Sequence, residues 1–295
     1  MRAELLEASA NAFEQRRDRL RGVAFRLLGS GAEAEDAVQE AWLRLAGTDT
    51  EIADLDGWLT TVVSRICLDM LRARGRRAEV AASNAPARAA TGAGTDPEAE
   101  ALRADSVGRA LLVVLDALGP EERVAFVLHD LFAVPFSHIA PMLGRTPATT
   151  KKLASRARLR VHAPARIEPT ELLAHQAAVT AFVQAARGGD LGGLLAVLAP
   201  DVVRTADPTA LSPGMAALVR GARAVAQGAL ALRRRSRDAV LMLVDGKPGL
   251  VVAGAGGPVF AVTFVVRDGR IAAYDVVASP RRLAALTLSL PPALP

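Results

Sequence analysis

Only one cysteine, Cys67, stands among the 295 residues, so no internal disulfide can staple the chain. Flanked by Ile66 and Leu68 and without a second thiol to resolve an oxidised sulfur, Cys67 reads as a small buried hydrophobe rather than a redox sensor. One cysteine and four scattered histidines (His129, His138, His162, His175) give no metal-ligand spacing, and neither a structural zinc nor a cofactor is expected. No stretch approaches the ~20 uninterrupted apolar residues of a membrane span, so no bilayer insertion is expected. The opening MRAELLEASANAF has no basic segment leading into an apolar core and no small-residue cleavage site, which points to a cytoplasmic protein. No internal repeat is visible.

What is there is a mostly folded chain, 51% hydrophobic and 23% charged, of a length that suits two or three domains. A net charge of +5 and an isoelectric point near 10.2 suit a polyanionic partner, although charged solvated faces are common. The distribution says more. Residues 1–105 hold 14 Lys and Arg against 18 Asp and Glu, residues 106–166 hold 9 against 4, and residues 167–295 hold 13 against 9. Within the acidic first part, residues 65–77 reverse the balance with five arginines against Asp69 alone. Two separated basic stretches result.

Apolar residues recur at helical spacing from about residue 8 to 74, broken at Gly29-Ser30-Gly31 and Gly47-Thr48, which predicts three or four packed helices. The Ala/Gly/Pro/Ser-rich run from Ala78 to about Asp96 reads as a flexible linker. A second helical block follows from about Glu98 to Arg160, punctuated at Gly119-Pro120, Ala133-Val134-Pro135 and Gly144-Arg145-Thr146-Pro147. After Pro164 the period changes. Residues 172–186 and 191–198 read as helices, whereas 240–244, 250–255, 259–267 and 270–277 are β-rich runs joined by Asp245-Gly246-Lys247-Pro248 and Asp268-Gly269 turns. The last part is therefore expected to be a separate α+β domain with a mostly antiparallel sheet.

The sharpest local signal lies between Phe136 and Arg160. Phe136, Ile139, Ala140 and Leu143 fall on one face of a short helix, Gly144 supplies the left-handed residue that ends it, and Thr146-Pro147 caps and restarts the chain. Pro141 is tolerable there only in the opening turn. On the second helix Thr150, Leu153, Ala154 and Ala157 share one face, while Ala148, Lys151, Lys152, Ser155 and Arg156 point the other way. Small and hydroxyl residues at its start let the helix end enter a major groove, and its Lys and Arg groups neutralise phosphates. A generic basic helix is more often a solvated face; the Gly-x-Thr-Pro turn and the preceding short helix favour a helix-turn-helix.

In the first block, Ala34–Leu45 predicts a helix with Ala37, Val38, Ala41, Trp42 and Leu45 inward and Asp36 and Glu40 stacked outward. Paired carboxylates suit acid–base catalysis only beside a second polar cluster, which is missing, so a docking surface or a solvated face is the reading. A further helix begins at Asp56-Gly57-Trp58-Leu59 and runs through Arg65, Asp69 and Arg72 into Arg74, Arg76 and Arg77, a basic end suited to a nucleic-acid backbone.

The segments AEDAVQEAWLRL, DGWLTTVVSRICLDMLR and FSHIAPMLGRTPATTKKLASRARLRV, in that order and separation, resemble regions 2 and 4 of the extracytoplasmic-function group of the sigma-70 superfamily, over residues 8–165 apart from the linker. The resemblance implies region 2 at 8–77, a linker at 78–103 and region 4 at 104–166. It implies that Asp36, Gln39, Glu40 and Trp42 bind the clamp of core RNA polymerase, through its β and β′ subunits. Trp58, Arg65, Arg72, Arg76 and Arg77, with the loop before Asp56, would recognise and melt the −10 element. Ala148, Thr149, Lys151, Lys152, Ser155 and Arg156 would read the −35 element. The implied role is an alternative sigma factor that works by binding polymerase and promoter DNA, with no chemistry of its own and with room for a separate anti-sigma partner.

Residues 167–295 resemble the SnoaL-like, NTF2-related cone domain that the sigma J type of that group carries after region 4. DLGGLLAVLAPDVVRTAD, RGARAVAQ and the final hairpin carry this resemblance, with Ser279-Pro280-Arg281-Arg282-Leu283 where the type has Asn-Pro-Asp-Lys-Leu. Of the type's Asp-Gly-Gly-Gly-Lys segment only Asp207 remains, and the linker motif Trp-Leu-Pro-Glu-Pro is absent. The expected architecture is thus two all-α domains followed by an α+β domain, with Asp207, Pro280, Arg282 and Leu283 implied in its regulatory role. The alternative is a DNA-binding regulator fused to a cyclase- or isomerase-like enzyme, for which Asp201, Asp207, Asp275, Tyr274 and His175 are the candidate acids and bases.

Overall fold

The computed structural model describes residues 2–48, 50, 52–82, 106–211, 214–231, 238–254 and 257–291. Two compact units emerge, one built from the helices up to residue 82 together with residues 115–159, the other from residues 106–114 and 160–291. No helix among the described residues is long and apolar enough to cross a membrane.

The first unit starts with α1 (Arg2–Leu28), α2 (Gly31–Ala46) and α3 (Leu55–Ala82). Phe13, Leu20, Val23, Ala24, Leu27 and Leu28 form the buried stripe of α1. The α2 helix opens at Ser30, whose hydroxyl accepts from the Glu33 N–H, and turns Ala34, Ala37, Val38 and Ala41 inward, side chains small enough for close helix approach. Asp54 performs the same service for α3 through the Gly57 N–H at 2.9 Å. Cys67 is fully buried in α3, and burial pushes its thiol up to about 12, well away from the reactive thiolate range. The helix runs to Ala82, five residues into the stretch expected as linker, because Ala78-Glu79-Val80-Ala81-Ala82 holds no glycine or proline to stop it. The rest of that linker, and the expected helix start near Glu98, lie outside the described residues.

The second helical block begins with α4 (Ser106–Asp116), continues through α5 (Pro120–Phe126), which widens into a π-turn over Val127–Leu131, and ends in α6 (Phe136–Leu143) and α7 (Pro147–Val161). One buried charge ties the first unit together. Arg123, 3% exposed, donates to the Leu27 carbonyl at 2.7 Å and the Leu115 carbonyl at 2.7 Å and pairs with Asp116. Both carbonyls end helices, where orphan oxygens and the negative pole of the helix dipole attract a cation. Arg74, read from the sequence as part of a nucleic-acid-tracking end, is used inside the unit instead: it donates to the Leu28 carbonyl at 3.1 Å and pairs with Glu33.

The second unit carries α8 (Pro169–Gly188) and α9 (Leu191–Val197), the latter capped by Asp190 through the Gly193 N–H. Then follow β1 (Leu198–Ala206), β2 (Leu218–Arg220), α10 (Ala222–Ala231), β3 (Val240–Val244), β4 (Lys247–Gly254), β5 (Gly257–Arg267), β6 (Arg270–Val277), α11 (Pro280–Ala285) and β7 (Leu288–Ser289). The strands form one sheet in the order β2-β1-β6-β5-β4-β3-β7, with β1 and β6 parallel and the other neighbours antiparallel. Asp245-Gly246 and Asp268-Gly269 all have positive φ and close the two hairpins as mirror-image turns that match the strand twist. Val179, Phe182, Val183 and Ala186 of α8, with Leu194 of α9 and Val225 and Ala226 of α10, pack on one sheet face. This is the α+β class expected for the C-terminal part. Strand β1 starts at Leu198, the last residue of the stretch expected to be helical, and runs through Pro200 and Asp201.

Truncating Arg123 strands Asp116 and two helix-end carbonyls. Arg123→Ala is expected to destabilise the first unit by about 3–5 kcal/mol. The two tryptophans, Trp42 and Trp58, both lie in that unit and the single tyrosine, Tyr274, in the other. Urea denaturation should therefore show the tryptophan transition moving and the tyrosine transition staying; equal movement of both would refute this role for Arg123.

Candidate nucleic-acid interface

Helices α6 and α7 make the tight corner that Gly144 and Thr146 dictate. Gly144 sits at φ 64° and ψ 36°, and the Arg145 N–H reaches back to the Ala140 carbonyl at 3.0 Å. The Thr146 hydroxyl accepts from the Thr149 N–H at 3.2 Å and meets the Thr149 hydroxyl at 3.0 Å, capping α7. Pro141 falls in the second turn of α6, later than expected; it and Ser137, whose carbonyl is left without a helical donor, are both exposed, so water can satisfy that oxygen.

Along α7, Thr150, Ala154, Ala157 and Val161 are buried, and Ala148, Thr149, Lys151, Lys152, Ser155 and Arg156 are exposed. Arg158 pairs with Asp130 at 2.6 Å and so anchors α7 to the preceding turn. The exposed face thus presents small groups at the helix start and three cations beyond, a shape and charge suited to a groove and its phosphates.

On α2, Asp36, Gln39 and Glu40 are exposed, and with Leu43, 63% exposed, they form one stripe at i, i+3, i+4 and i+7. Leu43 is a member that the sequence reading misses; its place in the i+7 slot of that stripe is the available signal. Trp42 lies off this stripe, half-buried, with its ring tilted against Phe13 at 5.3 Å between centroids.

Trp58, Arg65, Arg72 and Arg76 follow one another on α3 at spacings of seven, seven and four, which keeps them near one face. Trp58 is half-buried; Arg65, Arg76 and Arg77 are exposed. The second helical block packs on this face. Arg65 approaches the Pro141 carbonyl at 3.5 Å, and Arg72 pairs at 3.0 Å with Glu121 of α5, which also takes Arg145 at 3.2 Å. Burial opposes ionisation of Glu121, but Arg145 and Arg72 together hold its carboxyl below the ordinary range. The sequence gives no signal for the roles of Glu121 and Arg145, because Arg72 lies 49 residues away from Glu121 along the chain.

In the second unit Asp207 accepts from the Ala278 and Ser279 N–H groups at 3.0 and 2.9 Å and pairs with Arg282 at 2.6 Å. Arg282 also pairs with Asp275 at 2.6 Å, and Asp275 accepts from the Thr205 hydroxyl. Pro280 is the first residue of α11, and Leu283 is buried beneath that helix. The candidate acids and bases do not converge. Asp207 and Asp275 are held by Arg282, Asp201 is exposed, and His175 lies 3.4 Å from Glu171. Tyr274 is buried, its phenol pushed up to about 12 by desolvation despite the nearby charge of Arg204. Among the described residues no three or more His, Cys, Asp and Glu side chains gather to hold a metal ion.

The Sigma-70 region 2 family model matches residues 12–77 and the Sigma-70, region 4 model residues 108–161. The chain is similar to the ECF RNA polymerase sigma factor SigJ of Mycobacterium tuberculosis, 42% identical over 285 residues that cover 91% of each chain. It is 33% identical to the probable ECF RNA polymerase sigma factor SigI of the same organism over 95% of this chain and 96% of that one. The crystal structure of M. tuberculosis SigJ aligns over 92% of this chain and 97% of that chain with 38% identity and a TM-score of 0.46.

Burial disfavours the charge of Asp207, but the Ser279 and Ala278 N–H groups and the Arg282 guanidinium outweigh it and depress its pKa. A carboxylate depressed in the folded state contributes stability at pH values above its unfolded pKa and loses it as pH falls through the folded one. Asp207→Asn is therefore expected to destabilise the second unit at neutral pH by on the order of 1–2 kcal/mol. Thermal unfolding followed at Tyr274 should show the gap from wild type closing as pH drops below the ordinary aspartate range; a gap constant with pH would refute it.

Proposed function

This chain belongs to the extracytoplasmic-function RNA polymerase sigma factors, and from that premise we propose how its surfaces divide the work of promoter-specific initiation. As a sigma factor it binds core RNA polymerase and promoter DNA, and it is an initiation factor rather than an enzyme. Our division assigns residues 8–77 to region 2, 104–166 to region 4 and 167–295 to a module that modulates the other two. The exposed stripe Asp36, Gln39, Glu40 and Leu43 docks on the β′ clamp, with Trp42 fixing the angle of α2 from behind. Trp58, Arg65, Arg72, Arg76 and Arg77 engage the −10 element, and α7 engages the −35 element through Ala148, Thr149, Lys151, Lys152, Ser155 and Arg156. The place of action is wherever the polymerase transcribes, the cytoplasm.

The observation that carries this reading is the pair of separated basic helices: α7 has an open cationic face, and on α3 Arg76 and Arg77 are open while Arg65 and Arg72 are met by the second helical block. Elements centred about 25 base pairs apart lie roughly 85 Å apart along B-DNA at about 3.4 Å per pair. Helices α3 and α6 touch through Arg65 and Pro141, so one such unit cannot span that distance. Promoter engagement therefore requires the region 4 block to leave α3, with the −10 backbone replacing Glu121 at Arg72.

Run-off transcription with core polymerase and genomic promoter fragments tests the whole reading. Specific transcripts from the full chain, altered in amount by truncation after Arg166, are expected; no promoter-directed transcript from either form would overturn it. At the residue level, Lys152→Ala and Arg156→Ala should weaken −35 binding and reduce the slope of log affinity against log salt by about 0.9 for each phosphate no longer neutralised. An unchanged slope removes that side chain from the DNA interface.

A further inference from the structure

Of the 36 basic residues only three are lysines, Lys151, Lys152 and Lys247, and the rest are arginines. A guanidinium stays protonated and keeps its charge, whereas a lysine amine that takes up an acyl group becomes a neutral amide. Most of the chain's cations are thus fixed. Two of the three removable ones stand side by side on the exposed face of α7.

Neither Lys151 Nζ nor Lys152 Nζ has a hydrogen-bond or ion-pair partner among the described residues. Helix α7 carries no carboxylate, and Asp130, the nearest acid before it in the chain, is taken up by Arg158. Lys151, Lys152 and Arg156 are therefore the cations of the open face, and acylating the two lysines removes two of its three charges. Acyl phosphates, and thioesters built on a nucleotide carrier, are themselves phosphate-bearing anions. A cationic face without carboxylates concentrates them, by the same field that attracts a DNA backbone. The surroundings of Lys247 differ. Asp245, two residues earlier, offsets the charge of Arg166, whose backbone N–H bonds the Gly246 carbonyl of that turn at 2.8 Å.

From this asymmetry, and resting on the assignment of α7 to the −35 element, we infer that Lys151 and Lys152 form an acylation site through which anionic acyl donors switch off −35 recognition. In the step, the Nζ ammonium releases one proton to solvent and its lone pair forms the amide bond to the acyl carbon. The bond from that carbon to the thioester sulfur or the acyl-phosphate oxygen breaks, and its electron pair stays on the leaving group. A second Nζ proton ends on the departing thiolate, or in solvent where phosphate departs. DNA seated on α7 covers the same amines, so the free protein is modified ahead of the promoter-bound one.

Acetyl phosphate and acetyl-coenzyme A serve as anionic donors and N-hydroxysuccinimidyl acetate as an uncharged control, with acetylation of each lysine in the full chain followed by peptide mass spectrometry. With the anionic donors Lys151 and Lys152 are expected to react about tenfold faster than Lys247, a preference that shrinks in high salt and with the uncharged ester. In the Lys247→Arg chain the remaining lysines are Lys151 and Lys152. Acetylated, assembled with core polymerase and titrated with a promoter fragment that the untreated holoenzyme transcribes, it should show a slope of log affinity against log salt lower by about 1.8, twice the 0.9 of one phosphate. Bound promoter fragment should slow acetylation of both lysines. Reaction at Lys247 as fast as at the α7 pair, the same preference with the uncharged ester, or a slope unchanged by complete acetylation would each overturn the proposal. A slope that falls in Lys152→Ala but not on acetylation faults the switch alone, whereas a slope unmoved by either change faults the −35 assignment and the switch with it.

Discussion

The first unit depends on how the Arg123 guanidinium is satisfied. It is nearly inaccessible, and its three partners come from the end of α1 and from the end of α4. An oxygen at a helix terminus has lost its intrahelical donor, and a buried cation has lost its water; bringing them together removes both penalties at once. Two residues earlier on the same seven-residue helix, Glu121 faces the other way and bridges Arg72 and Arg145. One short helix thus holds the unit together from inside and covers Arg72, an arginine we propose for the −10 element, from outside.

The two contacts differ in strength, and the difference decides which can yield. The Glu121 pairs involve arginines about half exposed, at 41% and 51%, where an ion pair contributes roughly 0–1 kcal/mol. A DNA phosphate offers Arg72 an equivalent partner together with counterion release, so exchange there is easy. Arg123 is harder to dislodge from α1, yet it keeps Asp116 and the Leu115 carbonyl within its own block when the Leu27 bond breaks. A charge that retains its carboxylate is not stranded by opening.

How much of this is legible in the sequence follows how local each cause is. The corner between α6 and α7 is readable because Gly144, Thr146 and Pro147 determine it within four residues. The hairpins are readable from Asp245-Gly246 and Asp268-Gly269 for the same reason. Strand β1 is less so, since its parallel partner lies some 70 residues onward and offers no turn to signal it. The Trp42 ring, which packs on Phe13 rather than joining the exposed stripe, reflects a contact between helices that helical period alone does not specify. Neither does the sequence show that Glu121 will cover Arg72, because surface charges find partners only after the helices have packed.

Arg204 is a case where local period suffices. Leu198 and Val202 are buried and lie an even number of residues before it, so simple alternation sends Arg204 inward and Thr205 outward, although the pairing of β1 with β6 shifts register between Leu198 and Val203. Strands β1 and β6 place Arg204 and Tyr274 inside while the next residue of each, Thr205 and Asp275, joins Arg282 and Asp207 outside. The interior of the domain and its outer charged network are therefore two faces of the same pair of strands, one peptide unit apart.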